Sequence, residues 1–398
     1  MDIVFTLVVL IGIYLLQRQV LIPRLEKLDR INMHRTGIVY VDVLLTLHFL
    51  LFATYYTYAL LRESDSLEYY NVSSEALSWV STWGSDSQFV AFLTYPFSNA
   101  LGLSYTACML VFAFIGFQGV LLFYLTAREH VFGTKPIFGR FTLTELMFLL
   151  PNIHFWSSSI GKGSTMMLAL GVVVYGISRY NRISRMVMIT AGAFFVYMLR
   201  PHILFVLLLG TGTAMFFSFT KVKLYVKVIL IVLSLGVIYV ISDNLVEYTG
   251  SENLNIFESK GISKRASDLS VKAKSGVNIS NYNQVQKLFT LLYRPLFFDA
   301  PGILGLIVSF ENLLYLIFTF QFIRKGIPRW RDQSGFIRIA MFIFFYGAVS
   351  LAQIAGNLGI AMRQKAQIMP LFFIVYCKTL ALDGERKRRP INAVAYKP

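Results

Sequence analysis

Apolar residues along this chain come in runs about as long as a helix needs to cross a lipid bilayer, separated by short polar gaps. A spanning helix takes about 20 mostly apolar residues, and such runs predict helices rather than strands. We therefore predict an all-α polytopic membrane protein that forms a single integral membrane domain over residues 1–398. The eleven predicted spans lie near 2–16, 37–61, 104–126, 141–157, 164–178, 186–199, 202–219, 225–242, 301–323, 336–355 and 366–381.

Basic residues fall in alternate gaps between these spans, such as Arg179, Arg182 and Arg185 in one gap and the tail "GERKRRP" after the last span. Cytoplasmic loops of membrane proteins carry an excess of Lys and Arg. The pattern predicts a cytoplasmic C-terminus and, with an odd number of spans, an N-terminus outside. Topology thus accounts for most of the net charge of +16, and we expect no nucleic-acid partner.

Two of the gaps on the predicted outer side are long. Residues 62–103 form the first outer loop, whose second half is apolar and aromatic and suits short helices lying in the membrane interface. Residues 243–300 form the other, with a middle rich in Ser, Asn and Lys.

The segment "PNIHFWSSSIGKGSTMMLALG", from Pro151 to Gly171, interrupts the apolar pattern with a helix breaker and polar residues. A broken helix at membrane depth is tolerated where it is buried in protein or lines a cavity. We predict a broken helix near 151–164 that supplies polar groups to an outward cavity. Lys162 adds a point charge that suits phosphate, and the next helix, predicted to start near Ser164, directs its positive end there.

Several cations lie near the outer ends of spans in apolar company, where charge is costly and by default marks a functional site. Such a cluster beside aromatic rings favours an anionic substrate with a sugar, so Trp156 is a candidate for stacking on a sugar ring. Asp65, Glu63, His154 and His202 are candidates for accepting a proton from a substrate hydroxyl. The candidate substrate-binding cations are Lys162, Arg200, Arg294, Arg363 and Lys365.

Several short motifs, with the layout of spans and loops, resemble bacterial cell-surface polysaccharide polymerases of the Wzy and EpsG type. The motifs are "SDSLEYY", "LLPNIHFWSSSIGKGS", "RPH", "RPLFFDAPG" and "GIAMRQKAQIMP". The resemblance implies a metal-independent, multi-pass glycosyltransferase of the bacterial inner membrane that makes O-antigen, capsule or exopolysaccharide. It would join oligosaccharide repeat units carried on undecaprenyl diphosphate at the outer face.

The same resemblance implies that Arg200, Arg294 and Arg363 hold the diphosphate, and that a chain-length regulator is a partner. Related sequences carry an acidic residue after the lysine of the "GK" step, where this chain has Gly163. Any role that needs a carboxylate at that position is therefore in doubt.

Two other functions stay open on the sequence. A GT-C-type glycosyltransferase would use Asp65, with Glu63 and Glu68, together with a divalent metal and a polyprenyl-phosphate sugar donor. A transporter of lipid-linked oligosaccharide would place its charges in mid-span, whereas few acids lie in the predicted spans. One of them, Glu311, is expected to pair with an arginine of a neighbouring helix.

Overall fold

The chain is almost entirely helical in the computed structural model, which describes residues 1–29, 35–62, 64–131, 136–137, 140–180, 182–217, 276–279, 281–300 and 302–388. The only sheet in these ranges is an antiparallel ribbon of two-residue strands, β1 (Pro136–Ile137) and β2 (Phe141–Thr142). The helical fold class predicted from the apolar runs is confirmed.

Eight α-helices of the described residues precede the turns at Trp156–Gly161, and the first two join through a π-helical turn at Gln17–Leu21. They are α1 (Asp2–Leu16), α2 (Ile22–Asp29), α3 (Arg35–Leu61), α4 (Asp65–Ser74), α5 (Ser87–Tyr95), α6 (Tyr105–His130), α7 (Leu143–Phe148) and α8 (Pro151–Phe155).

Seven more α-helices follow the turns at Trp156–Gly161 in the described ranges. They are α9 (Lys162–Ile177), α10 (Ile183–Leu199), α11 (Pro201–Phe216), α12 (Gln284–Tyr293), α13 (Gly302–Gly326), α14 (Gly335–Ala352) and α15 (Leu358–Arg388).

Six helical stretches in the described part of the chain are long and apolar enough to cross a membrane. Three shorter apolar helices, α9, α10 and α11, accompany them. The predicted span near 225–242 and most of the loop at 243–300 lie outside the described residues, so the count of eleven and the orientation of the termini stay predictions. The six stretches are Asp2–Lys27, Gly37–Leu61, Tyr105–His130, Gly302–Asp332, Gly335–Ala352 and Leu358–Leu382.

The predicted span near 141–157 is wrong as one continuous helix. Thr142 and Glu145 form a capping box that starts α7, which ends at Phe148. Pro151, which lacks a backbone N–H, then occupies the first turn of α8, where no intrahelical donor is needed. The chain next runs through turns from Trp156 to Gly161 before α9. The predicted break is therefore present.

Helices α6 and α15 form the centre of the bundle, because 78% and 83% of their apolar windows are buried, against 17% for the first stretch. Glycines let α6 approach its neighbours closely, as small residues do in membrane helix packing. A Cβ on Gly116 would lie 1.6 Å from the carbonyl oxygen of Ser157, and one on Gly119 would lie 2.4 Å from the backbone of Met167. The broken segment and α9 are thereby held against α6.

The bundle has two ends with different character. At one end, which we call the Asp65 end, α3 finishes, α6, α9, α11, α13 and α15 begin, and the first loop folds into the short helices α4 and α5. At the other, which we call the Arg185 end, α6, α9 and α11 finish and α10 and α14 begin. The Asp65 end is the predicted outer side.

Candidate functional site

Three cations from distant parts of the chain lie near one another at the Asp65 end, and two of them pair with carboxylates of the first loop. Nη1 of Arg363 lies 2.9 Å from the Asp65 carboxylate, and Nζ of Lys162 lies 2.6 Å from the Asp86 carboxylate. Arg200 and Arg363 both lie close enough to act electrostatically on the Lys162 ammonium. We call these five side chains the cation cluster.

The carboxylates form the exposed side of the cation cluster. The side chains of Asp65 and Asp86 are 57% and 54% exposed, whereas those of Arg363 and Lys162 are 30% and 14% exposed. Ion pairs of this exposed kind contribute only about 0–1 kcal/mol to stability. An anion that arrives from solution can therefore replace either carboxylate at little cost.

Local structure in the first loop positions the two carboxylates. The Ser64 hydroxyl accepts a hydrogen bond from the backbone N–H of Ser66, so that α4 begins at Asp65. Asp86 has a φ of 60° and donates its backbone N–H to the carbonyl of Met198 at 2.7 Å. This bond fixes the start of α5 to the end of α10, next to Arg200.

Lys162 is the first residue of α9, where the helix dipole favours an anion and disfavours a cation. Gly161, the residue before it, has a φ of 150°, and a Cβ added there would lie 3.4 Å from the Tyr69 ring. A Cβ on Gly163 would lie 2.0 Å from the carbonyl oxygen of Trp156. An acidic side chain does not fit at 163 without a backbone shift, and Asp86 supplies the carboxylate beside Lys162 instead.

Tyr69 and Asp86 belong to this site, although the sequence did not single them out. The Tyr69 side chain lies near Ser87 and within electrostatic range of Asp65, Arg363 and Asp86. Burial raises the pKa of its hydroxyl, so the group is a neutral donor at pH 7. Its position one helical turn after Asp65 in "SDSLEYY" is the signal that could have identified it.

Lys365 lies on the protein-facing side of α15 rather than in the open part of the cluster. Its side chain is fully buried, and its ammonium donates to the carbonyls of Leu292 at 3.3 Å and Arg294 at 3.2 Å and to the Asn312 amide oxygen. Because an ammonium has three N–H donors, these oxygens satisfy it. Lys365, a predicted substrate ligand, therefore connects protein segments to one another in this structure.

Glu311 lies in the same buried region. Its carboxylate accepts hydrogen bonds from the backbone N–H of Asn152 at 3.0 Å and from the Tyr315 hydroxyl. Lys365 is the cation that acts on it electrostatically. Among the described residues no arginine pairs with Glu311, so the predicted arginine partner is wrong there, and the carboxylate joins α13 to the broken segment.

Arg294 is held within its own loop. Its Nε lies 2.5 Å from the Asp299 carboxylate, which also accepts the backbone N–H of Leu296. Both side chains of the pair are mostly buried, at 18% and 16% exposed. The structure gives Arg294 a local partner and does not place it among the five residues of the cation cluster.

The two predicted histidine bases occupy buried positions. Both ring nitrogens of His154 face protein atoms, because Nδ1 lies 3.0 Å from Nδ1 of His48 and Nε2 lies 2.7 Å from the carbonyl of Phe148. His202 is the second residue of α11 and is 8% exposed. Glu63, the other predicted base beside Asp65, lies outside the described residues.

An apolar cleft of about 450 Å³ opens beside the cation cluster, between α3, the broken segment and α13. Trp156, the predicted sugar-stacking residue, lines it, and so does Asn152, whose side chain donates to the carbonyl of Met362 at 3.1 Å. Other lining residues are Tyr58, Arg62, Ile307 and Val308.

Comparison of the chain with protein-family models, with curated proteins and with solved structures finds no match. Within the described ranges, no three His, Cys, Asp or Glu side chains are grouped so that they could hold a metal ion.

Proposed function

We propose that this chain is a polysaccharide polymerase, a glycosyltransferase that joins oligosaccharide repeat units carried on undecaprenyl diphosphate at the outer face of the bacterial inner membrane. The cation cluster is the observation that carries the proposal. Lys162 begins α9, Arg363 lies in α15 and Arg200 lies in the turn between α10 and α11, and two exchangeable carboxylates pair with Lys162 and Arg363. A diphosphate is an anion that needs more than one such cation.

In the proposed reaction the growing chain is the donor and its lipid diphosphate is the leaving group. The oxygen of an acceptor hydroxyl bonds to the anomeric carbon while the bond from that carbon to the phosphate oxygen breaks. The electron pair of the broken bond stays on the diphosphate, where Arg363 and Lys162 stabilise the negative charge. Fixed cations of this kind typically lower a barrier by several kcal/mol.

Binding of the diphosphate also frees the base in this mechanism. The phosphate oxygens replace Asp65 on Arg363 and Asp86 on Lys162, and both carboxylates then face the bound substrates. Asp65 takes the proton of the acceptor hydroxyl. The neutral Tyr69 hydroxyl beside both ion pairs is a donor for an oxygen of the diphosphate or of the sugar.

One observation favours a second function. Asp65 is more than half exposed and begins a helix of the first loop, which is where a GT-C-type enzyme would hold its acidic residue. In that reaction Asp65 would be the essential acidic residue, acting on a polyprenyl-phosphate sugar together with a divalent metal, and Arg363 would only orient the Asp65 side chain. The two functions differ in which residue is indispensable.

The test is a gel of surface polysaccharide from cells that lack this protein, complemented at matched protein levels. We expect wild type to restore a ladder and Arg363→Ala, Arg200→Ala and Lys162→Met to leave a single repeat unit. Arg140→Ala, an exposed arginine at the opposite end of the bundle, is the control and keeps the ladder.

Two results would contradict the polymerase. A normal ladder in the three cation variants with failure of Asp65→Asn alone indicates the GT-C-type reaction. Glycans that are unchanged when the protein is absent would overturn both glycosyltransferase functions.

A further inference from the structure

We propose that the cleft beside the cation cluster holds the isoprenoid chain of the lipid whose diphosphate binds that cluster, an inference that rests on the function proposed above. The cleft measures about 450 Å³, within the roughly 300–1,000 Å³ of pockets that hold small molecules. Its walls are mainly apolar and aromatic side chains from three elements, among them Leu51, Tyr58, Phe155, Trp156, Ile307 and Val308.

The cleft faces sideways, toward the lipid, rather than only toward water. Its α13 wall belongs to a stretch of which only 28% is buried inside the protein. Ile303 and Ile307 of that wall are 78% and 47% exposed. Apolar side chains exposed on a membrane-crossing helix contact hydrocarbon, so a lipid chain enters this cleft from the bilayer without crossing water.

The cleft adjoins the cation cluster, because lining residues of the cleft lie next to residues of the cluster. Met362 lines the cleft and precedes Arg363 in the chain. The carbonyl of Trp156 lies against Gly163, the residue after Lys162. Arg62 lies over the Tyr58 ring at 5.5 Å and adds a cation at the cleft. An amphiphile can therefore place its anionic head on the cluster and its chain between the helices.

A single chain fits this arrangement better than the two chains of a glycerophospholipid. The rings of the aromatic wall pack against one another, with the centroids of Tyr58 and Phe155 6.1 Å apart and those of Phe155 and Trp156 5.1 Å apart. A cleft of this volume takes a section of one hydrocarbon chain, and a polyprenyl diphosphate has one. Its diphosphate also matches the cation cluster better than a phosphodiester, which carries one negative charge.

Photo-crosslinking tests the cleft directly. A benzophenone amino acid replaces Val308, which lines the cleft, or Leu306, which lies on the same helix, is 42% exposed and does not line it. The purified full chain in vesicles is irradiated with radiolabelled polyprenyl diphosphate. We expect saturable labelling at 308 that exceeds the labelling at 306. Unlabelled polyprenyl diphosphate should compete with this labelling, and Arg363→Ala should reduce it.

The competitor separates the isoprenoid chain from ordinary lipid. If phosphatidylglycerol at the same concentration removes the label at 308 as well as polyprenyl diphosphate does, the cleft is a general lipid site and the proposal is wrong. Equal labelling at 306 and 308 would overturn it too.

A kinetic arm separates failure of the cleft from failure of the proposed function. Val308→Trp narrows the cleft, and we expect it to raise KM at least about tenfold for a long-chain donor but not for a farnesyl-linked donor. Equal KM changes for both donors, with polymerisation intact, would contradict the cleft while the polymerase stands. Saturable labelling at 308 in a protein that polymerises neither donor would leave the lipid site standing without the proposed reaction.

Discussion

The two ends of the bundle both pair arginines with carboxylates, but only one end buries its carboxylate. At the Arg185 end the Glu129 carboxylate is completely buried, with Arg179 Nε at 2.7 Å, Arg185 Nη2 at 3.2 Å and the Ser178 hydroxyl at 2.6 Å. At the Asp65 end the carboxylate of Asp65 is 57% exposed and the cation below it is the less exposed partner.

This difference separates a structural ion pair from an exchangeable one. Breaking a buried pair leaves an uncompensated charge in the protein and costs about 3–5 kcal/mol, whereas an exposed pair contributes about 0–1 kcal/mol. The Glu129 group therefore holds helix ends together, and the Asp65 group is able to release its cation to another anion. Burial of the acid, rather than the presence of arginine, distinguishes them.

Glu129→Ala should give the largest effect on stability. It leaves Arg185, whose side chain is 4% exposed, without its carboxylate, and we expect a loss of about 3–5 kcal/mol. The loss is measured as a lower thermal midpoint and a smaller monodisperse fraction in detergent. Asp65→Ala is the matched control at the other end. Equal midpoints for the two variants would show that burial does not separate the ends.

Arg363→Ala should remove activity while it leaves stability nearly intact. Loss of one fixed donor to a developing charge costs about 10²–10³ in turnover, and the broken ion pair costs about 1 kcal/mol or less. Turnover of a lipid-diphosphate-linked oligosaccharide and the thermal midpoint are measured on the same preparation. Unchanged turnover, or a fall in midpoint as large as that of Glu129→Ala, would contradict an exchangeable site.

Lys365→Met should fall between these two extremes. It keeps the apolar stem but leaves the carbonyls of Leu292 and Arg294 without their buried donor, at a cost of about 1–3 kcal/mol. We expect faster hydrogen exchange across residues 284–300. Lys287→Met, which loses only a partly buried bond to Gln353, is the control. Unchanged exchange with lost substrate binding would return Lys365 to the role predicted from the sequence.

Asp65→Asn should give the smallest effect on stability and a distinctive kinetic one. Without its charge the side chain no longer competes for Arg363, so we expect KM for the lipid diphosphate to fall, by up to about fivefold for a pair worth 1 kcal/mol. Turnover falls as well if Asp65 is the base, but less than in Arg363→Ala. A rise in KM would show that Asp65 does not compete with the diphosphate for Arg363.

The sequence predicted the helices well where one run of residues was sufficient. The runs at 2–16, 37–61 and 104–126 correspond closely to α1, α3 and α6, because spacing and length within one segment decide whether it forms an apolar helix. The prediction of one continuous helix near 141–157 was wrong, because the Thr142 capping box and Pro151 divide the segment.

The candidate site was predicted in part. Lys162, Arg200 and Arg363 were selected because charge in apolar company is costly, and the structure brings them together. The same reasoning could not show that Lys365, two residues beyond Arg363, points into the protein and is satisfied by Asn312 and two carbonyls. Side-chain direction around a helix and the oxygens that it meets depend on neighbouring elements.

By itself, the sequence determined the helical class, the break at Pro151 and the set of cations from which a site could be built. Only the tertiary structure decided which of them form it. Arg363 and Asp65 are 298 positions apart in the chain, and no periodic pattern carries information over such a distance. Their pairing depends on how α4 and α15 pack, and that packing also decides which partner of each ion pair is buried and which can be exchanged.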